Sequence, residues 1–377
     1  MNYITKEWPI LSTKAGISEF SPTQGIPEYH VMVWLTDSMY DTAEQFKRID
    51  ATIRLVQEYL PTSMLVWKRY FVSDAINQHA LITSDTNTAV SIVQQPPLDG
   101  TKLAVWLYLV PQVRMTNDGH STIMEHSSYR HLFHTQLYAS GADEVSQTES
   151  LFDQYIQLLA NRNCTLERNC QRTWVFVQNV DTHYTGMVVS RRKCFEREGL
   201  TPDTHFIAST GIEGKYIRPE VLVFLDAYAV SGLKPEQIHY LYAPTHFSPT
   251  YRYGVTFERG TAIQYGDRRH VFISGTASIN SRGEIEHPMN VVKQADRVFE
   301  NIRTLLSESG TQMNDVAYMI IYLRDITDYQ TITSYLQKNY PQIPQVIVWA
   351  PVCRPGWLVE AECMAIKDME DQRFEVY

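Results

Sequence analysis

The chain has 377 residues, a formal net charge of −9 and a pI of about 5.7. Apolar residues make up 44% and charged residues 20%, which is typical of folded globular proteins, and this length allows two or three units with cores of their own. The acidic balance argues against a nucleic-acid-binding protein, and no apolar run approaches the ~18 residues that span a bilayer.

The cysteines and the N-terminal residues bear on the cellular location and on metal binding. The five cysteines contain no CxxC pair, so neither a disulfide framework nor a zinc site is predicted. The irregular spacing of His126, His131 and His134 does not predict a metal site either. The N-terminus lacks the basic-then-apolar pattern of a signal peptide. We therefore expect a cytoplasmic protein without a metal or an organic cofactor, and with neither nucleic acid nor a membrane as a partner.

Helical and strand patterns alternate along the whole chain. In the N-terminal third, residues 45–54 predict a helix, and residues 66–74 and 103–109 predict strands. In the central third, residues 147–159 predict a helix and residues 174–181 a strand that closes on an acidic turn.

The C-terminal third has the clearest pattern. An apolar run from Val271 ends in Ser274-Gly275-Thr276. A long predicted helix follows, which begins near Met289–Asn290 and is ended by Ser309-Gly310. The remaining predicted elements are a strand at 316–323, a helix at 329–339, and strands at 345–350 and 357–366.

These segments repeat one unit. Residues 147–159 align with 294–306 without a gap, and in both copies an apolar strand and an acidic turn follow. The N-terminal copy is fainter, and three unrelated helix–strand pairs are the alternative. The repetition predicts an α+β chain of three tandem units, with boundaries at 1–120, 121–245 and 246–377.

Residues 257–368 resemble the RidA superfamily, also called the YjgF or endoribonuclease L-PSP family. The resemblance is carried by Phe272-Ile-Ser-Gly275, Asn301-Ile-Arg303, Tyr322-Leu-Arg-Asp325 and Val359-Glu360-Ala-Glu362. RidA-like proteins are homotrimers with clefts between subunits. The resemblance therefore implies a monomeric pseudo-trimer, with the sheets inside and the helices outside.

Within this superfamily, the C-terminal motif resembles that of the chorismatases, in which a cysteine and an arginine precede a glutamate by seven and six residues. Cys353, Arg354 and Glu360 have this spacing, which implies catalytic roles for Cys353 and Glu360. Strand alternation places Glu360 and Glu362 on one face. A carboxyl in an apolar cleft has a raised pKa and can act as an acid near neutral pH. The alternative is a pair of edge-strand glutamates in water.

Central segments of the chain also follow the order of chorismatase motifs. The resemblance implies a cleft between the second and third repeats, in which arginine forks bind substrate carboxylates. The substrate-binding residues it implies are Arg191, Arg192, Thr210, Gly211, Arg259, Ser274, Gly275 and Arg354. The chain departs from the chorismatase pattern at Val175, where those enzymes carry asparagine, and at Gly356, where they carry an acidic residue.

The resemblance favours a chorismatase-like lyase or hydrolase that releases pyruvate from chorismate or a related enolpyruvyl acid. A RidA-type imine or enamine deaminase is one alternative. Those deaminases hold the substrate carboxylate with an arginine directly after a proline, whereas Gln345 follows Pro344 here. A non-catalytic protein that binds small acids is the other alternative.

Overall fold

The computed structural model describes residues 1–83, 87–119 and 121–377, which form three six-stranded β-sheets. The first sheet contains β1 (Asn2–Trp8), β2 (Thr13–Phe20), β3 (Glu28–Leu35), β4 (Ser63–Val72), β5 (Ala89–Gln94) and β6 (Leu103–Pro111). The second contains β7 (Arg114–Asn117), β8 (Thr122–His126), β9 (Tyr129–Tyr138), β10 (Cys170–Val177), β11 (Ala208–Glu213) and β12 (Val223–Ser231). The third contains β13 (Ile238–Leu241), β14 (Gly260–Gln264), β15 (Arg268–Ala277), β16 (Val316–Leu323), β17 (Gln345–Trp349) and β18 (Val359–Asp368).

Helices connect the strands and pack on the sheets. They are α1 (Thr42–Tyr59), α2 (Ala75–Gln78), α3 (Glu144–Ala160), α4 (Leu166–Asn169), α5 (Val180–Arg197), α6 (Val291–Glu308) and α7 (Tyr329–Asn339). The long helices α1, α3 and α6 each lie against the sheet of their own repeat. Within the described ranges, no helix combines the length and the apolar character needed to cross a membrane.

The three sheets share one strand order. In each sheet the last strand in the sequence, which we call the closing strand, lies between the third and the fourth strands. The orders are β1-β2-β3-β6-β4-β5, β7-β8-β9-β12-β10-β11 and β13-β14-β15-β18-β16-β17. The predicted α+β class with three tandem repeats is therefore confirmed. The exact boundaries at 1–120, 121–245 and 246–377 remain a prediction.

A glutamine at the start of each long helix performs the same task in every repeat. The side-chain oxygens of Gln45, Gln147 and Gln294 accept the backbone N–H of Lys102, Leu222 and Leu358, each at 2.8 Å. Each of these acceptors binds the residue directly before a closing strand. The three glutamines are buried, so the bond fixes where each closing strand enters its sheet.

The inner faces of the three sheets meet in one core. Trp67, Trp106 and Trp174 come from the first two repeats, with ring centroids 5.7 to 6.3 Å apart. Tyr318 of the third repeat packs on Trp106 at 4.2 Å. Because the sheets bury these aromatic faces against one another, the helices are left on the outside, as the pseudo-trimer requires.

The segment 174–181 was predicted as a strand that closes on an acidic turn, and the structure continues this turn into a helix. The strand ends at Val177, because Asn179 adopts a left-handed conformation (φ 52°) and turns the chain into α5. The first two N–H groups of this turn, those of Asn179 and Val180, donate to the Glu213 carboxylate at 3.1 and 2.7 Å. A carboxylate from a distant strand thus starts a helix that local sequence patterns did not predict.

Candidate active site

A cavity lies between the second and third repeats, where β11 and α5 face the ends of β15 and β18. Its empty volume is about 530 Å³, part of which opens to solvent. Seven of the predicted site residues line it: Arg191, Gly211, Arg259, Gly275, Cys353, Arg354 and Glu360.

Glu360 lies in the middle of the third sheet, between β15 and β16, and is 5% exposed. The alternative, a pair of edge-strand glutamates in water, is therefore wrong. Burial and the neighbouring Glu362 carboxylate raise the pKa of Glu360 to about 8, against the attraction of Arg259 and Arg172. At neutral pH this carboxyl holds its proton for most of the time.

Gly275 leaves the space that this carboxyl occupies. A Cβ at this position would lie 2.2 Å from Oε1 of Glu360 and 3.0 Å from Cγ2 of Thr210. Both distances are shorter than ordinary van der Waals contacts. No larger residue fits here unless the carboxyl moves.

Three predicted binding residues lie outside the cavity lining. Thr210 Oγ1 accepts the N–H of Gly275 at 2.9 Å. Ser274 Oγ accepts the N–H of Ser209 at 2.9 Å. Both bonds join the two repeats beneath the cavity. The guanidinium of Arg192 donates to the carbonyl of Gly254, in the connector between the repeats. These three residues shape the cleft and do not face it.

Glu362 is 1% exposed and its two oxygens accept three hydrogen bonds from the second repeat. Arg172 Nη2 donates to Oε2 at 2.9 Å, Thr210 Oγ1 donates to Oε2 at 2.5 Å, and Trp174 Nε1 donates to Oε1 at 2.6 Å. Such a fully bonded carboxylate fixes the position of β18 against β10.

Cations surround the carboxyl on the other sides. Arg191 is 1% exposed, and Nη1 donates to Ser209 Oγ at 3.4 Å. Within the described part of the chain, Arg191 forms no ion pair with an acidic side chain. Arg259 is also buried, with its guanidinium 4.6 Å from the ring of Phe247. Arg354 lies 5.1 Å from the ring of Trp357. A buried cation that pairs with no acidic side chain of the described residues gives this cavity a positive potential.

Cys353 is half-buried and lies beside Tyr184 of α5. Burial and the proximity of Glu360 raise the pKa of its thiol to about 12. Burial and the proximity of Cys353 also raise the pKa of the Tyr184 hydroxyl well above its ordinary value. Both groups are therefore neutral hydrogen-bonding groups at physiological pH, and Cys353 is not a thiolate nucleophile.

The loop that carries Cys353 and Arg354 is fixed from below. Gln294 Nε2 donates to the carbonyl of Gly356 at 2.9 Å, and Trp357 Nε1 donates to the carbonyl of Ser278 at 3.1 Å. In the sequence Gly356 stands where the chorismatase pattern has an acidic residue. In the structure the Gly356 carbonyl accepts the hydrogen bond from Gln294 that holds the loop in place.

Sequence analysis assigned no site role to Arg172, Trp174 or Tyr184. Arg172 lies two residues before the predicted strand that begins at Trp174, and an arginine that is buried requires an acidic partner. That signal was available, although the identity of the partner was not. Tyr184 had no signal, since it lies on the helix that the sequence patterns did not predict. Among the described residues, no group of three or more His, Cys, Asp or Glu side chains is placed to hold a metal ion.

Comparisons with known proteins identify several similar chains. The profile of the endoribonuclease L-PSP family matches residues 261–367. A RutC family protein of Pyrococcus abyssi is 30% identical over 110 residues, which are 28% of this chain and 84% of that protein. The 3-aminoacrylate deaminase RutC of Acinetobacter baylyi is 27% identical over 97 residues, covering 25% of this chain and 77% of that protein. A chorismatase crystal structure is similar in fold, with a TM-score of 0.64 and 18% identity, covering 80% of this chain and 92% of the other.

Proposed function

Because the chain belongs to the RidA superfamily, also called the YjgF or endoribonuclease L-PSP family, we propose that it is a chorismatase-like enzyme. It releases pyruvate from chorismate or a related enolpyruvyl acid. The observation that carries the proposal is the combination of two groups in one cavity. One is a buried carboxyl with a pKa of about 8, and the other is a buried arginine, Arg191, that forms no ion pair with any described acidic side chain.

The reaction begins with proton transfer from Glu360. The acid protonates the terminal CH₂ carbon of the enolpyruvyl ether, which leaves an oxocarbenium ion and the Glu360 carboxylate. Water adds to the cationic carbon, and its surplus proton returns to Glu360. The resulting hemiketal collapses to pyruvate and the ring alcohol, so one water is consumed in each turnover. Attack by a ring hydroxyl in place of water is the alternative second step.

The other residues bind and orient the substrate. Chorismate carries two carboxylates, and planar guanidinium groups bind carboxylates in a bidentate manner. Arg191 and Arg259 lie in the buried part of the cavity, and the half-buried Arg354 lies beside Cys353. The neutral thiol of Cys353 donates a hydrogen bond to the reacting ether, while Gly211 lets the ring approach β11.

The arrangement gives less support to an imine deaminase. Gln345, which follows Pro344 where such deaminases have their carboxylate-binding arginine, lines a different groove between the third and first repeats. A neutral amide does not form the ion pair, and Glu360 lies in another cleft.

The test is pyruvate formation from chorismate, coupled to lactate dehydrogenase. The wild-type protein is expected to turn over, and Glu360→Gln is expected to lose turnover while calorimetry still detects substrate binding. Glu258→Gln is the matched control. Glu258 is also buried, burial raises its pKa, and its side chain does not line this cavity. It should remain close to wild type.

Each alternative has a distinct result. Ammonia release from 2-aminoacrylate without pyruvate release from chorismate would support the deaminase. Binding of chorismate without any product would support the small-acid-binding protein. An active Glu360→Gln variant would contradict the assignment of Glu360 as the acid.

A further inference from the structure

We propose that Glu362 is a positioning residue that keeps Glu360 protonated, because its carboxylate, paired with Arg172, lies two residues away on the same face of β18. This inference rests on the proposed function only in giving Glu360 the role of the acid. The interaction between the two carboxyl groups belongs to the protein without substrate and can be measured there.

The geometry brings the two carboxyl groups together in a site with little water. Residues two apart on a strand point to the same face and are separated by about 6.6 Å along it. Glu360 is 5% exposed and Glu362 is 1% exposed. Water therefore screens their repulsion weakly, and only one of the two readily carries a charge.

The hydrogen bonds decide which one is charged. Thr210 Oγ1 accepts from Arg172 Nη2 at 2.6 Å and from the N–H of Gly275 at 2.9 Å. Its own proton is thus directed to Glu362 Oε2 at 2.5 Å. With the guanidinium of Arg172 and the indole of Trp174, Glu362 faces three donors, which is the environment of a carboxylate. No such set of donors surrounds Glu360 among the described residues, so Glu360 is the one that retains its proton.

Other charged and titratable groups face Glu360 from every element packed around it. They are Arg172 on β10, Tyr184 and Arg191 on α5, Arg259 before β14, Tyr322 on β16, and Cys353 and Arg354 in the loop before β18. Burial and Glu362 each raise the pKa of Glu360, while Arg259 and Arg172 lower it. The tyrosines and the thiol are neutral near pH 7, so Glu362 is the anion that opposes the arginines.

The experiment is an NMR titration of isotope-labelled glutamate carboxyl carbons in the protein without substrate. The Glu360 signal is assigned as the one lost in Glu360→Gln. Removing a charge about 6.6 Å away at an effective dielectric of ~20 should lower the midpoint of Glu360 by roughly one to two pH units in Glu362→Gln. Arg172, left without its anionic partner, shifts the midpoint further in the same direction. Glu362→Asp keeps the charge and should restore most of the wild-type midpoint.

Asp226 supplies a matched control. It occupies the same position on the closing strand of the second repeat, is fully buried, and accepts from Arg69 Nη2 at 2.9 Å. Asp226→Asn therefore removes an equivalent buried, arginine-paired charge from another cleft. It should destabilise the protein as Glu362→Gln does, yet leave the titration of Glu360 unchanged.

The outcomes separate this inference from the proposed function. An unchanged or higher midpoint of Glu360 in Glu362→Gln would overturn the inference, whatever the protein's activity. A lowered midpoint in a protein that releases no pyruvate would uphold the inference and reject the function. If Glu362→Gln does not fold, Arg172→Met combined with Glu362→Gln removes both charges of the pair, a change that buried ion pairs often tolerate. A smaller downward shift is then expected, and its absence would again overturn the inference.

Discussion

The substitution Gly275→Ala tests the position of the Glu360 carboxyl, the proposed acid, with a single added methyl group. The new Cβ would lie 2.2 Å from Glu360 Oε1, whereas ordinary contacts begin at 3.4 Å. The carboxyl must therefore move by about 1 Å, since the glycine backbone is fixed by the hydrogen bond from its N–H to Thr210. A displacement of this size typically lowers the rate by about 10²-fold. We expect kcat for pyruvate release to fall by that factor.

Steady-state kinetics with chorismate and thermal unfolding together test this expectation. KM should change much less than kcat, because the arginines that bind the carboxylates do not move. Gly16→Ala is the control, since its Cβ would lie 2.9 Å from the ring of Trp34 in another cleft. It should lower the unfolding temperature and leave kcat unchanged. A Gly275→Ala enzyme that keeps its kcat within about threefold, a factor worth less than 1 kcal/mol, would refute the assigned position of Glu360.

Three further predictions concern the same cleft. The pKa of Glu360 rises from 4.5 to about 8 on folding, so its contribution to stability is complete below pH ~4.5 and is lost as pH rises through 8. The rate of pyruvate release should fall as pH rises through the same range. Unfolding measured from pH 5 to 9 should show that the wild-type protein loses stability relative to Glu360→Gln. Gln294→Ala should lower the free energy of unfolding in urea by about 1–3 kcal/mol, and it should abolish turnover because the loop with Cys353 is no longer anchored. Gln45→Ala should lower the free energy of unfolding by a similar amount and leave turnover intact. Cys353→Ala should lower kcat by roughly tenfold, as expected for one lost hydrogen bond, and Cys353→Ser should recover most of it; complete inactivity of the serine variant would contradict a hydrogen-bonding role.

The fold was predictable because its signals are local and repeated. The helix predicted from Met289–Asn290 is observed as Val291–Glu308, capped by the Asn290 side chain, and the strand predicted over 316–323 is observed without change. Apolar periodicity sets such elements, and three copies of one pattern reinforce each other. The prediction failed at α5, whose start depends on Glu213, a residue more than thirty positions away on another strand.

The site was predictable in its residue types but not in its electrostatics. The spacing of Cys353, Arg354 and Glu360 pointed to one cavity, and the structure places all three in its lining. The charge that holds Glu360 protonated depends on a pairing between Arg172 and Glu362, which lie 190 residues apart in the sequence. The contact between the second and third sheets decides that Glu362 is hydrogen-bonded and that Glu360 faces the cavity. The sequence alone does not show this contact.

The residues at equivalent positions of the three closing strands explain why one cleft of three is suited to the proposed chemistry. The second residue of the closing strand is Glu360 in the third repeat, and it is Ala104 and Phe224 in the first and second. Phe224 packs on Phe176 at 4.7 Å and on Tyr216 at 5.1 Å, so aromatic rings occupy the space that the carboxyl holds elsewhere.

The fourth position of the closing strand completes this comparison. It is Glu362 in the third repeat, Asp226 in the second and Trp106 in the first. Among the three closing strands, only β18 therefore carries two buried carboxyl groups at these positions. Glu362 is hydrogen-bonded, and Glu360 can hold a proton. Three separate subunits of one sequence would have to carry both acids in every cleft, with the cost of burying them each time. Covalent linkage removes that requirement, because Trp106 and Phe224 build the core while β18 alone carries the acid.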